Sequence, residues 1–325
     1  MSNSTREVII TGGRGYIGMN LTHYLVSHGL KVHNLDKVLS SPFGPLPDGA
    51  VAHEVDLTEP KANLALQRVF KTVRDTSAVI HLAGLKSVEE SFRQESEYRK
   101  ANVTATENLL ESMRAGGLSR LLFASTAAVY GEITNPNPVA ESTSTLPISP
   151  YAQTKLEAEN IIKAAHEVWG LKYASMRFFN VAGSISPELI EYSGKNLIPV
   201  ILRSISAGNP FKVFGDKFNT PDGSAIRDFV HIEDLCAAQL CALSKLEVAT
   251  VGEINIGSGK GYSVFEIINT LKSVIGKEIP YTVVPARVGD APSVVADIHR
   301  AQQIIGWKPQ KSLAEMLKSS IVEDL

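Results

Sequence analysis

Short apolar runs alternate with longer amphipathic stretches through the first half of this chain. The runs Glu7–Thr11, Lys31–Leu35, Ala50–Glu54, Ala78–Leu82, Arg120–Ser125 and Tyr173–Phe178 carry many β-branched and aliphatic residues and predict strands. Apolar positions recur at helical spacing over Gly15–His28, Pro60–Thr72, Ser96–Ala115 and Pro150–Trp169, which predicts helices between them. Alternation of this kind predicts an α/β fold, a doubly wound parallel sheet with helices on both faces. After Asn180 the pattern breaks. Residues 181–226 are rich in Gly, Ser, Pro and Asn, with one helix near Leu197–Ala207, and read as a ligand-facing insertion. Two further strand–helix units follow near Glu253–Ile275 and Tyr281–Ile305.

The first predicted strand runs into Thr11-Gly-Gly-Arg-Gly-Tyr-Ile-Gly18, and a helical pattern follows. Gly12, Gly15 and Gly18 let the backbone turn sharply and come close to a ligand. The helix start offers free N–H groups to negative charge. Between a strand and a helix, this turn is a dinucleotide-binding signature. The predicted division is therefore a Rossmann domain over residues 1–180 and a smaller α/β substrate domain over 181–325, of which about 228–257 return to the first.

Strand two ends at Leu35-Asp36. Asp36 lies near the spacing expected for the acid that accepts the ribose hydroxyls, and it would repel a 2′-phosphate, so NAD is favoured over NADP. Lys37 works against that preference, because a cation there tolerates a phosphate. Asp56-Leu57, after the third strand, is placed to meet the adenine; the other reading makes Asp56 a helix cap before Pro60.

Length and composition narrow the partners. A chain of 325 residues suffices for one large domain or two medium ones. A formal net charge of −2 implies no broad basic face, so no nucleic-acid partner is expected. No apolar run approaches a membrane span and MSNSTREV lacks a signal segment, so a cytoplasmic location without a membrane partner is expected. Cys236 and Cys241 do not share a helix face and read as structural thiols, and the eight histidines show no ligand spacing, so no metal is expected.

Tyr151 and Lys155 sit in the helix opened by Ser149-Pro150, and a spacing of four puts both on one face. A phenol with a pKa of about 10 is a poor base at neutral pH. A neighbouring ammonium and a positive nicotinamide both favour the phenolate. Ser125 and Thr126 end the preceding strand, at the edge where open α/β sheets bind ligands.

Together, TGGRGYIG, HLAGLKSVEES (81–91), Asn102, FASTAAVYG (123–131), Tyr151-x-x-x-Lys155 and RFFNVAG (177–183) resemble the extended short-chain dehydrogenase/reductase family. KNLIP (195–199), the segment 211–235, NIGSG (255–259) and PARVGDAP (285–292) extend the likeness to its UDP-hexose 4-epimerases, from about residue 7 to 318. The resemblance implies tightly held NAD and interconversion of UDP-glucose and UDP-galactose, with N-acetylated hexoses as further candidates. Tyr151 would take the proton from the sugar 4-hydroxyl while the C4 hydride passes to nicotinamide. The 4-keto sugar would turn over and receive the hydride on its other face. Lys155 would lower the tyrosine pKa and hold the nicotinamide ribose, and Thr126 would hydrogen-bond the 4-oxygen.

The same resemblance assigns the surroundings. Tyr16, Ile17, Asp36, Lys37, Asp56, Leu57, Leu82, Ala83, Gly84, Lys86, Asn102, Ser125 and Phe178 would join the glycines, Tyr151 and Lys155 around the cofactor. Lys86, Thr126, Tyr151, Phe179 and Asn180 would meet the substrate. Asn196 and Leu197 would open a helix onto a phosphate, and Arg227 and Arg287 would clamp the diphosphate. Asp290 would hold the uridine ribose, Val213 and Phe214 would flank the uracil, and Val294 would gate sugar size, with Ser293 the alternative. A homodimer packed through helices over about 92–115 and 150–168 is also implied.

Neighbouring chemistries fit less well. Nucleotide-sugar 4,6-dehydratases carry an Asp-Glu pair where this chain has Ala127 and Ala128, and elimination needs those proton carriers. UDP-glucuronate decarboxylases usually have a glutamate in place of Ala128. NADPH-dependent keto-sugar reductases would prefer a basic pocket to Asp36. A uronic-acid or pentose epimerase stays open. A catalytically silent, NAD-sensing binding module would often have lost the tyrosine, which is retained here. Taken alone, Arg227 beside Asp228 also reads as a surface ion pair.

Overall fold

A computed structural model describes residues 7–73, 77–133, 138–191, 195–287 and 289–322. The chain start, read above for a signal segment, lies almost entirely outside the described residues. The strands in chain order are β1 Glu7–Thr11, β2 Lys31–Asp36, β3 Ala50–Glu54, β4 Ala78–His81, β5 Arg120–Thr126, β6 Lys172–Phe178, β7 Asn180–Ala182, β8 Phe211–Phe214, β9 Ile226–His231, β10 Gly252–Ile256, β11 Gly261–Ser263, β12 Tyr281–Val284 and β13 Ser293–Val294.

Seven of them form one parallel sheet in the order β10-β6-β5-β4-β1-β2-β3. The central strands read as near-continuous apolar runs because both faces are covered. Val8, Ile10, Ile80 and Leu122 meet the helices Tyr16–Ser27 and Ile232–Leu246 on one face. Ile9, Val79, Leu121 and Phe123 meet Ala62–Phe70, Ala105–Ala115 and Pro150–Trp169 on the other. Each such side chain contributes about 1.5–3 kcal/mol by leaving water. The order places β1 and β4 side by side with their connections leaving in opposite directions, and the ligand crevice of a doubly wound sheet opens there.

The remaining strands build a smaller layer beyond the carboxyl edge. β9 pairs with β11, β13 and β7, while β8 and β12 form a separate parallel pair. The insertion expected over 181–226 thus contains strands as well as the helix Leu197–Ser206. They are too short for their periodicity to be read from sequence. The last expected strand–helix unit is divided. β12 pairs with β8, whereas the helix His299–Ile305 returns Ala301 and Ile305 to the core of the large sheet.

The helix expected without interruption over Ser96–Ala115 is interrupted. It runs Glu95–Arg99, then a π-helical turn Lys100–Thr104, then Ala105–Ala115. The wider turn buries Asn102 and Val103 together, and such turns recur at functional sites. Among the described residues no helix is long and apolar enough to cross a membrane.

Candidate active site

A cleft opens along the carboxyl edge of the parallel sheet. One part is a cavity of about 330 Å³ beside the glycine turn. It continues through the shared walls Tyr16, Ile17, Leu82, Gly84, Leu85, Lys86 and Ala124 into a second cavity of about 510 Å³ under the smaller layer.

The three glycines differ in what they do. Gly12 has φ +67°, and a Cβ there would sit 2.6 Å from the Ala83 nitrogen. At Gly18 a Cβ would lie 2.4 Å from the Gly12 carbonyl oxygen. The fold itself therefore demands those two. At Gly15 the nearest neighbour is 3.5 Å away, so its lack of a side chain serves the cavity it lines. Gly15 is also the N-cap of the helix Tyr16–Ser27 and supplies no capping side chain, which leaves the first N–H groups to a ligand. This bare turn fits a dinucleotide diphosphate.

Asp36 ends β2 on the cavity wall, with Lys37 next to it. Its Oδ2 accepts from the Arg14 backbone N–H at 3.0 Å, which aims the carboxylate at the glycine turn. Asp56, Leu57, Leu82, Ala83, Gly84 and Lys86 complete this half. Asp56 accepts from the Thr58 backbone N–H at 2.8 Å and hydroxyl at 2.7 Å. Burial pushes its carboxyl up, but these bonds and the nearby Lys37 and Lys100 bring it net below its ordinary value. The following helix is capped at Lys61, so Asp56 does not cap it.

Asn102 does not line the cavity; it holds the wall from behind. Its Oδ1 accepts from the Leu85 backbone N–H at 2.8 Å, and its Nδ2 donates to the Leu85 carbonyl at 3.1 Å and to Thr154 Oγ1 at 2.9 Å.

The helix Pro150–Trp169 starts cleanly. Ser149 Oγ accepts from the Ala152 N–H at 3.2 Å, proline occupies the first turn, and Gly170 ends the helix in the left-handed conformation. Tyr151 and Lys155 face the second cavity with Ser125 and Thr126. The Thr126 hydroxyl stands on the same wall, close enough to favour the ionised phenol of Tyr151. Burial pushes the Tyr151 phenol up to about 12, with the neighbouring Thr126 hydroxyl opposing it. Lys155 lies with its Nζ 4.6 Å from the centre of the Phe123 ring, and burial lowers its pKa to about 8 against the pull of Glu159. The expected lowering of the tyrosine by the lysine is therefore not a property of the protein alone. Desolvation dominates both groups.

A buried polar network underlies the pair. Ser125, expected at the cofactor, lines the cavity but donates its hydroxyl to Glu159. Glu159 accepts from Arg177 Nη2 at 2.7 Å and Nε at 3.0 Å, and Arg177 Nη1 donates to the Tyr130 hydroxyl at 3.1 Å. Tyr130 donates to Asn255 on β10 at 2.6 Å. Sequence reasoning missed Glu159, although it stands one turn after Lys155 on the same face. It also missed Tyr98, whose buried ring meets Tyr151 edge-on at 6.4 Å.

On the other side, Phe178, Phe179, Asn180, Asn196, Arg227, Asp290 and Val294 line the larger cavity. Arg227 pairs with Asp290 at 3.2 Å and donates to the Ala291 carbonyl at 2.8 Å. Asp228 points the opposite way, fully buried, and accepts from the Ser258, Gly259 and Ala296 backbone N–H groups at 2.6, 2.9 and 3.1 Å. The surface pair Arg227–Asp228 is thus excluded. Val294, not Ser293, reaches the cavity.

Leu197, Val213, Phe214 and Arg287 do not line it. Leu197 begins its helix next to Asn196, which does. Val213 is buried in the β8–β12 pair because the strand's alternation turns it into the small core, and Arg287 stacks on Phe214 at 4.1 Å. Across the mouth, Lys86 pairs with the largely buried Glu191 at 2.8 Å.

This pocket, with a dinucleotide turn in one half and a Tyr–Lys–Thr group in the other, defines a nicotinamide-dependent enzyme of nucleotide-linked substrates. The chain belongs to the NAD dependent epimerase/dehydratase family, whose model matches residues 8–257. It is 36% identical to the UDP-glucose 4-epimerase of Halalkalibacterium halodurans, over 93% of this chain and 90% of that one. A UDP-glucose 4-epimerase structure from Stenotrophomonas maltophila, with bound NAD and formylated UDP-arabinopyranose, superposes with a TM-score of 0.89 at 31% identity, covering 97% and 96% of the two chains. The UDP-Glc/GlcNAc 4-epimerase of Campylobacter jejuni superposes with a TM-score of 0.82 at 28% identity, covering 97% of each.

Proposed function

We propose that this chain is an isomerase that inverts C4 of a UDP-hexose, UDP-glucose and UDP-galactose being the main pair, through a 4-keto sugar and with NAD as resident cofactor. The observation that carries the reading is the grouping of Tyr151, Lys155 and Thr126 on one cavity wall, with alanines at 127 and 128. Those alanines leave oxidation and reduction at a carbinol carbon as the chemistry available.

The glycine turn and the N-terminus of the helix Tyr16–Ser27 would hold the diphosphate of NAD, Asp36 its adenosine ribose and the Leu82–Lys86 segment its middle. When bound, NAD supplies a two-electron acceptor that can return the same hydride. Tyr151 removes the 4-hydroxyl proton as the hydride leaves and gives it back when the ketone is reduced, so atoms and electrons balance over the cycle. Thr126 donates to the 4-oxygen and fixes its place. Lys155 adds positive charge near the phenol, which with an oxidised nicotinamide favours the phenolate that burial alone opposes. Arg227 and Asp290 would take the nucleotide end. A cavity of about 510 Å³ leaves room for the sugar to present its opposite face.

Val294 is smaller than the aromatic that would confine the site to plain hexoses, so N-acetylated sugars are candidate substrates as well. The same reading divides the chain near residue 180 into a cofactor domain and a substrate domain. It pairs two copies through helices over about 92–115 and 150–168, and it places the enzyme in the cytoplasm.

The test is anaerobic incubation of purified protein with UDP-galactose, and separately with UDP-N-acetylgalactosamine, without added cofactor. Conversion to the gluco epimer is expected. No conversion of either after adding NAD would overturn the reading.

A further inference from the structure

His81 ends β4 with its side chain fully buried, and neither cavity includes it. It nevertheless bonds to two threonines in two different elements. Its Nδ1 lies 2.7 Å from Thr11 Oγ1, at the start of the glycine turn, and its Nε2 lies 3.0 Å from Thr106 Oγ1. The proton positions follow from counting. Thr106 spends its one hydroxyl proton on the Asn102 carbonyl at 2.7 Å. Toward His81 it can only accept, so Nε2 carries the ring hydrogen. Burial lowers the imidazole pKa to about 3, with Lys155 adding to the effect, so the ring is neutral and Nδ1 is bare. Thr11 must then donate to Nδ1, which leaves its oxygen to accept from the Ala83 backbone N–H at 3.4 Å.

The result is a one-way chain: Ala83 N–H to Thr11, Thr11 to His81, His81 to Thr106, Thr106 to the Asn102 carbonyl. Both ends return to the same wall, because Asn102 also clamps Leu85 through its side chain. We propose that His81 is a positioning residue for the cofactor, its Nε2–H tautomer setting the relative placement of the glycine turn and the Leu82–Lys86 wall. This rests on the assignment of that cavity to NAD. The imidazole acts through Thr11 and Asn102 and touches no ligand. A phenyl or aliphatic side chain of similar bulk would fill the space and lose both bonds.

Two experiments test it on the full-length chain. In the first, ¹⁵N spectra of the histidine rings are recorded at neutral pH, with His81 assigned by its loss in His81→Gln. The Nε2–H tautomer is expected, and Nδ1–H or a charged ring would overturn the proposal. In the second, Thr106→Val removes one acceptor away from the cavity. NAD affinity of nucleotide-free protein is measured by calorimetry beside its melting temperature. Affinity should fall by about three- to tenfold, the size expected for a broken hydrogen-bond chain, while Thr106→Ser restores it. A lower melting temperature with unchanged affinity would show a merely structural threonine and overturn the proposal. Failure of the unmodified protein to bind NAD would instead overturn the cofactor assignment, and this proposal with it.

Discussion

Glu159 and Arg177 face each other at 2.7 Å between the helix Pro150–Trp169 and β6, with side chains only 3% and 5% exposed. The pair is bidentate and fully committed, because Glu159 also accepts from Ser125 and Arg177 also donates to Tyr130. It ties the helix bearing Tyr151 and Lys155 to the sheet strand behind them.

Removing one partner should therefore cost more than removing both. Glu159→Gln strands a buried guanidinium and should destabilise the fold by about 3–5 kcal/mol, whereas Glu159→Gln with Arg177→Met should recover part of that loss. Urea denaturation of the nucleotide-free proteins measures it. A single variant as stable as the parent would show that the pair is not an obligatory brace.

The proposed roles of the Tyr151 and Thr126 hydroxyls separate by size of effect. Tyr151→Phe should lower kcat for UDP-galactose by about 10²–10⁴-fold, the range for loss of a general acid–base. Thr126→Val, which loses one hydrogen bond, should cost about tenfold. Initial rates by chromatography and UDP-sugar affinity by calorimetry check both. A Tyr151→Phe enzyme of undiminished rate would remove the tyrosine from the mechanism.

Burial of Lys155 predicts a pH dependence of stability. Its pKa falls from an ordinary 10.5 to about 8 on folding, so between these values the unfolded chain binds more protons. Stability from this group must then rise with pH, with a slope approaching about 1.4 kcal/mol per pH unit. Below about pH 8 the full burial penalty persists. Tyr151 acts in the opposite sense, but only above about pH 10, where its pKa raised to about 12 leaves the folded state with the extra proton. Urea unfolding at pH 8 and 9.5 should show the rise in the parent protein and its absence in Lys155→Met. Parallel curves for the two would refute it.

Val294 pairs with Arg227 in the β13–β9 register and projects into the larger cavity. Val294→Tyr should abolish conversion of N-acetylated hexose and spare the plain hexose. Equal loss of both in a chromatographic assay would defeat the gating role.

Much of this was legible in the sequence. Strands such as Ile9-Ile10 and Val79-Ile80 are apolar on both faces, and that signal needs no tertiary context. The glycine turn and the Tyr151–Lys155 spacing are local patterns, and the structure sets both on the cleft. Asn102 was expected at the cofactor by resemblance; the structure sets it against Leu85, and the π-turn that aims it left no mark in the sequence. Tyr98, Val103 and Thr106 keep a nearly helical spacing, and one widened turn leaves no mark on periodicity. Val213, Phe214 and Arg287 carried nucleotide-end roles by resemblance alone. The structure sets them in or against the β8–β12 pair, whose parallel pairing joins segments far apart in sequence. His81 and Glu159 escaped notice because each works through partners that only the fold brings near.

β9 carries Arg227 and Asp228 as consecutive residues on opposite faces, a cation at the cleft and a buried anion gathering three backbone N–H groups. That adjacency makes the strand intolerant of any change in length. Inserting or deleting a single residue upstream within it would swap the two faces, sending a carboxylate toward an anionic ligand and a guanidinium into a socket built from N–H donors. Evolutionary drift in length must therefore be absorbed in the turn 215–225 before the strand. Loop grafts intended to retune specificity should be confined to that turn, with Ile226 onward kept in frame.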